Sequence, residues 1–104
     1  MHSNEFWGFL ENGKVVALVH LAYFDDAIHC EKAVTLGLST LTEYRGKHLA
    51  QKLFNFAYKH SKEKEVTKIF MSCLAHNDAI KHICRKANMS LQVYQGEIEA
   101  VASH

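Results

Sequence analysis

A chain of 104 residues has the length of one domain, 1–104, with enough material for a single core. Its 48% apolar and 22% charged residues argue against disorder, and a net charge of +1 gives no basis for nucleic acid or an acidic membrane as the main partner. No apolar run approaches the roughly 20 residues that span a bilayer. The first residues lack the charged-then-apolar pattern of a secretion signal. Cys30, Cys73 and Cys84 are odd in number without a close pair, so reduced thiols in a cytoplasmic protein are the expectation.

Phe6 to Leu10 and Lys14 to Phe24 read as strands joined at Glu11-Asn12-Gly13, because Asn and Gly both tolerate the positive φ of a tight hairpin turn. The second run is apolar on both of its alternating faces, the pattern of a strand covered on two sides. Asp25 to His29 reads as a connecting turn. Ala33 to Leu41 is a third strand, with Gly37 marking a bulge or a close backbone approach. The period then changes: from Arg45 to Lys62, residues Leu49, Leu53, Phe56 and Ala57 share one helical face. Val66 to Leu74 is a fourth strand. Asn77-Asp78 offers a helix start, and Ala79 to Lys86 a short helix with Ile80, Ile83 and Cys84 as its apolar stripe. Met89 to Tyr94 and Glu97 to Ala102 close the chain as one or two strands around Gly96. The order predicts an α/β fold, a mixed sheet with helices packed on it.

The stretch from Thr42 to Leu53 joins the third strand to the first helix through a basic, Gly-containing turn. The first N–H groups of a helix have no intrahelical partner and carry partial positive charge, so such a terminus attracts a diphosphate. Within it, Arg45-Gly46-Lys47-His48-Leu49-Ala50 resembles the acyl-CoA-binding signature Arg/Gln-x-x-Gly-x-Gly/Ala of the GNAT (Gcn5-related N-acetyltransferase) superfamily. Arg45 fits the first position and Ala50 the last, while His48 stands where the family has Gly. A second block, Asn77 to Met89, resembles the family's later Asn-x-x-Ala-Ile-x-x-Tyr-x-x-x-Gly-Phe, with Cys84 at the Tyr, Asn88 at the Gly and Met89 at the Phe. The resemblance extends from about Phe6 to Tyr94.

What the resemblance implies is a GNAT-like acyl-CoA N-acyltransferase fold lacking the usual N-terminal strand and helices. Leu38, Ser39 and Thr40 would lend main-chain groups to the pantetheine arm of acetyl-CoA or another acyl-CoA. The N–H groups of Arg45, Gly46, Lys47, His48, Leu49, Ala50 and Gln51 would hold the diphosphate, and Asn77 and the helix after it would flank the thiol end and part of the arm. The reaction would be direct acyl transfer to an amine, whose identity the residues leave open. Cys84, at the Tyr position, is the candidate acid for the departing thiolate, with burial in the core as the alternative. For a base, the matching strand positions Val34, Thr35 and Leu36 offer no ionisable group. His20, His29 and Glu31 are candidates by proximity in sequence only, and solvent is the other.

Family members carry a strand and helices before the first hairpin that form much of the acceptor wall. An acceptor site here is expected to be open, to be completed by a second subunit, or to be absent. The aromatic cluster Phe6-Trp7-Phe9 beside a sheet edge suits a homodimer, or else belongs to the core. The eight histidines show no metal-ligand spacing, so no metal is expected. His48 could contact a phosphate when protonated, or crowd it when neutral. Two rivals to the enzyme remain: a non-catalytic CoA-binding or regulatory module, and an interaction domain that has lost the cofactor.

Overall fold

The computed structural model describes residues 3–28, 30–44, 48–74 and 78–103. Along the chain come β1 (Ser3–Glu11), β2 (Lys14–Asp26), β3 (Glu31–Thr40), a single 3-10 turn (Thr42–Tyr44), α1 (Leu49–Glu63), β4 (Lys68–Leu74), α2 (Asp78–Lys86), β5 (Ser90–Tyr94) and β6 (Glu97–Ser103). The strands form one mixed sheet in the order β1-β2-β3-β4-β6-β5. Only β3 and β4 pair in parallel; the other neighbours are antiparallel. The expected mixed α/β architecture is present, and the last segment is two strands.

Two tight turns shape the antiparallel ends. Asn12 and Gly13 have φ of 52° and 77°, and Gln95 and Gly96 have 49° and 81°, so both hairpins bend through paired left-handed residues. Near the first hairpin β2 carries one extra residue, since Phe9 faces Ala17 but Leu10 faces Val15. The bulge thus lies here and not at Gly37, where β2 and β3 pair without interruption. The glycine that does permit a close approach is Gly8: a Cβ there would lie 2.6 Å from the Ala17 carbonyl oxygen.

Alternation along the strands places Ala17, Val19, Leu21 and Tyr23 of β2 on one face with Val34 and Leu36 of β3. Ile69 and Met71 of β4 and Ala100 and Ala102 of β6 continue that face, and all are buried. Leu53, Phe54 and Ala57 of α1 and Ile80, Ile83 and Cys84 of α2 complete the same core. Both helices therefore pack on one side. β3–α1–β4 and β4–α2–β5 step in the same direction along the sheet, and right-handed crossovers put both helices on the same face. The expectation that β2 is covered on two sides is corrected accordingly: Leu18, His20, Ala22 and Phe24, on its other face, are only half-buried. The stripe of α1 is also corrected. Phe54, not Phe56, enters the core, while Phe56 is 41% exposed and stacks on His60 at 5.3 Å. Among the described residues no helix is long and apolar enough to cross a membrane.

Candidate functional site

The site begins where a ladder stops. β3 and β4 pair from Ala33 with Lys68 to Leu36 with Met71. Beyond that point β3 continues to Thr40 against β2, and β4 continues to Leu74 against β6. The two strands diverge, and among the described residues the seam-side main-chain groups of 37–40 have no strand opposite them.

A cleft of about 440 Å³ opens over this gap on the helix side. Leu38, Ser39 and Thr40 form one wall, and His48, Leu49, Ala50 and Gln51, the first turn of α1, another. Ala79, Ile80, His82 and Ile83 of α2 close it from the far side, and Tyr44 from the 3-10 turn. Every expected cofactor residue within the described chain lines this one cleft. Arg45, Gly46, Lys47 and Asn77 lie outside the described residues.

The start of α1 has the features of an open helix terminus. His48 is the N-cap, with φ 59° and ψ 20°, and its side chain makes no capping hydrogen bond. Its carbonyl accepts from the Lys52 N–H at 3.1 Å, so the N–H groups of Leu49, Ala50 and Gln51 precede the first intrahelical donor and have no partner within the helix. No acidic side chain occupies this first turn. The left-handed backbone explains why a glycine suits position 48. Histidine is among the residues that adopt this region more readily than most. The same holds at the other glycine position of the resemblance: Asn88 has φ 58° and ends α2, with the Met89 N–H reaching back to the Cys84 carbonyl at 3.0 Å.

Cys84 is fully buried, its thiol 3.5 Å from the Met71 sulfur, and it is not on the cleft wall. That placement is the one expected of the core alternative. The proximity-based bases are scattered. Glu31 stands at the far end of β3, 3.9 Å from the Lys68 ammonium. His20 is on the helix-free face, where it bonds Asn4 at 2.8 Å. His29 lies outside the described residues.

Tyr44 was not anticipated as a wall residue, and Ala79, Ile80, His82 and Ile83 were anticipated only as part of the helix expected to flank the cofactor. The α2 members recur at i, i+1, i+3 and i+4, so projecting the short helix onto the gap would have found them. Partial burial, then a hydrogen bond to the Glu11 carboxylate, raises the Tyr44 phenol above its ordinary pKa. Among the described residues no group of three or more His, Cys, Asp or Glu could hold a metal ion.

A second polar cluster lies away from the cleft. The Tyr23 hydroxyl donates to Glu5 Oε1 at 2.6 Å, His60 Nε2 approaches the same oxygen at 3.1 Å, and the Lys64 ammonium lies 3.3 Å from Oε2. The Tyr23 hydrogen bond, ahead of Lys64 and His60, holds the Glu5 carboxyl below its usual range. Burial and this carboxylate push the Tyr23 phenol well up. Trp7 and Phe56 flank His60, at 5.6 and 5.3 Å between ring centroids. The aromatic cluster of β1 divides: Phe9 packs on the core, while Phe6 is 61% and Trp7 43% exposed.

The sequence pattern of the Acetyltransferase (GNAT) family matches residues 1–88, so the chain belongs to that family. No curated protein matches significantly. Among solved structures, a ribosomal-protein-alanine N-acetyltransferase from Brucella melitensis superposes with a TM-score of 0.78 at 14% identity, over 95% of this chain and 68% of the other. An N-acetyltransferase from Staphylococcus aureus gives 0.81 at 17%, over 96% and 67%. Arabidopsis thaliana NAA60 in complex with acetyl-CoA gives 0.70 at 15%, over 86% and 66%. These likenesses establish the fold, and in each case the chain spans only part of the other protein's length.

Proposed function

We propose that the protein is an acyl-CoA-dependent N-acyltransferase that carries an acetyl or other short acyl group to an amine. One observation carries the reading. The β3–β4 ladder ends at Leu36 and Met71 while both strands continue, and the gap runs directly into a cleft that the first turn of α1 lines. An extended amide-bearing arm would take the place of the missing strand along Leu38, Ser39 and Thr40. Its diphosphate would meet the free N–H groups and positive dipole end of α1. The thioester would then stand at the divergence of β3 and β4, where a neutral amine could reach it. Family membership and the neighbour solved with acetyl-CoA support the same cofactor.

A second reading, a CoA-binding module without turnover, is favoured by one specific fact: the thiol at the position of the family's Tyr faces Met71 in the core. Turnover of acetyl-CoA with a panel of amines separates the two.

Calorimetric titration with CoA and acetyl-CoA tests the site itself. Binding with a Kd of about micromolar is expected. Gln51→Glu keeps the side chain's size but sets a carboxylate in the first helical turn, where it favours the helix and opposes the diphosphate. Its Kd should rise at least about tenfold, equivalent to ~1.4 kcal/mol, with no loss of stability. No binding by the unaltered protein at millimolar ligand would overturn the cofactor reading. Unchanged binding by Gln51→Glu would move the diphosphate away from α1.

A further inference from the structure

Acyl transfer to an amine leaves a proton that needs a destination. An ammonium group must lose one proton before its nitrogen can attack and a second when the amide forms, and the departing thiolate takes up only one. On the cleft wall the two histidines are His48, at the start of α1 where the diphosphate is assigned, and His82 of α2.

We propose that His20 takes the other proton, from an amine that reaches the acyl carbon across Gly37 on the helix-free face. This rests on the acyltransferase reading of the cleft. Register places His20 directly opposite Gly37, the first residue of β3 past the end of its pairing with β4. A side chain on Gly37 would find the His20 Cβ, at 3.9 Å, as its nearest neighbour, so the ground between His20 and the gap is open. The imidazole is held from the other side. Its Nε2 lies 2.8 Å from Asn4 Oδ1, which makes Nε2 the donor and leaves the Nδ1 lone pair free to accept. The Phe6 ring stacks on it, centroids 4.4 Å apart and planes 5° from parallel, and fixes its orientation.

On the β3 side of the gap His20 is the one ionisable group beside Gly37. Asn4, Phe6 and Gly8 of β1, Leu18 and Ala22 of β2, and Thr35, Gly37 and Ser39 of β3 share the face around His20, and none is charged. The charges on this face stand elsewhere: Glu97 and Glu99 of β6, paired with Leu74 and Ser72 across the gap, and Asp26, Glu31 and Lys68 at the opposite end of the sheet. Among the described residues His20 is the one histidine on this face, and histidine is the side chain suited to exchanging protons near neutrality.

The step balances without a co-reactant. The ammonium gives one proton to Nδ1, the neutral nitrogen bonds to the thioester carbon, and the carbon–sulfur bond breaks. The nitrogen's second proton offsets the one taken up by the thiolate, and His20 passes its own to solvent. Net, one ammonium and one acyl-CoA give one amide, one CoA thiol and one proton.

His20→Gln keeps a polar group against Asn4 but removes the base. With acetyl-CoA and phenethylamine, spermidine or a tetrapeptide with a free α-amino group, its kcat/KM should fall by about 10²-fold. The acid limb of the wild-type pH–rate profile should also be lost. Calorimetric affinity for CoA should be unchanged, which a general structural defect would not leave intact. Nitrogen NMR of the labelled imidazole gives a readout independent of turnover, with Nε2 protonated and Nδ1 bare at alkaline pH. Wild-type rate and pH profile in His20→Gln, the opposite tautomer, or no transfer by the unaltered protein to any of these amines would each overturn the assignment. Failure of the unaltered protein to bind CoA would instead remove the acyltransferase reading on which it stands.

Discussion

The two halves of the β3–β4 seam are built from the same two strands and behave as opposites. In the paired half, Val34, Leu36, Ile69 and Met71 are at most 2% exposed and their backbones complete the ladder. A few residues on, Leu38 and Thr40 are half-buried, Ser39 is exposed, and the facing strand has turned away. The closed half supplies cohesion, and the open half supplies groups whose partners are still to come. Stability and binding should therefore be separable by substitution along a single strand.

The largest expected effect breaks the closed half. Leu36→Ala removes a side chain that is 1% exposed, and should destabilise by about 2–5 kcal/mol. Leu38→Ala, one step along the same face at the cleft, should cost well under half of that, because water already reaches the site. Denaturant midpoints at constant m-value measure both. Equal losses would mean that the open half is as much a core as the closed one, and the contrast would fail.

A smaller effect belongs to the Glu5 cluster, where hydrogen bonds are made rather than awaited. Glu5→Gln keeps the shape but weakens the bonds from Tyr23, His60 and Lys64, at about 1–2 kcal/mol for a partly exposed charge-assisted group. The sign of its pH dependence follows from the direction of the shift. The folded carboxyl lies below its ordinary value of 4.5, so its contribution is complete above that value and is lost as pH falls through the lowered folded one. The substituted protein should therefore show a flatter loss of stability on the acid side of 4.5 than the wild type. Identical acid limbs in the two proteins would show that Glu5 is not the linked group, and CoA affinity should not move in either.

How much of this was legible in the sequence depended on how local each cause is. The Asn12-Gly13 hairpin, both helices and the succession of strands and helices along the chain follow from turn chemistry and periodicity within a few residues. The choice between Phe54 and Phe56 did not, because either residue completes a stripe with Leu53 and Ala57 and only the position of the sheet decides between them. The site divides in the same way. Residues 38–40 and 48–51 could be named from two short blocks that resemble a family. The end of the β3–β4 ladder depends on residues paired 35 positions apart along the chain, as Leu36 with Met71 illustrates, and no local pattern encodes it. Tyr44 and His82 reach the cleft only because of that divergence, and the role of Gly37 became readable only when register set it opposite His20.

The smallest effect tests the open half at its most unusual residue. His48 caps α1 in a left-handed backbone without a capping hydrogen bond. Glycine there relieves the crowding of the Cβ, worth ~1–2 kcal/mol in that region, but loosens the unfolded chain by about 0.5–1 kcal/mol. The net for His48→Gly is a gain of ~0.5 kcal/mol, or about 2–4 °C in Tm for a domain of this size. The binding outcome carries more information. With the imidazole neutral, glycine lets a diphosphate approach the α1 N–H groups, and CoA should bind about threefold tighter, near 0.7 kcal/mol. Weaker CoA binding by His48→Gly at alkaline pH would reverse the assignment: the imidazole would then be a ligand contact that this chain uses in place of the family's bare backbone.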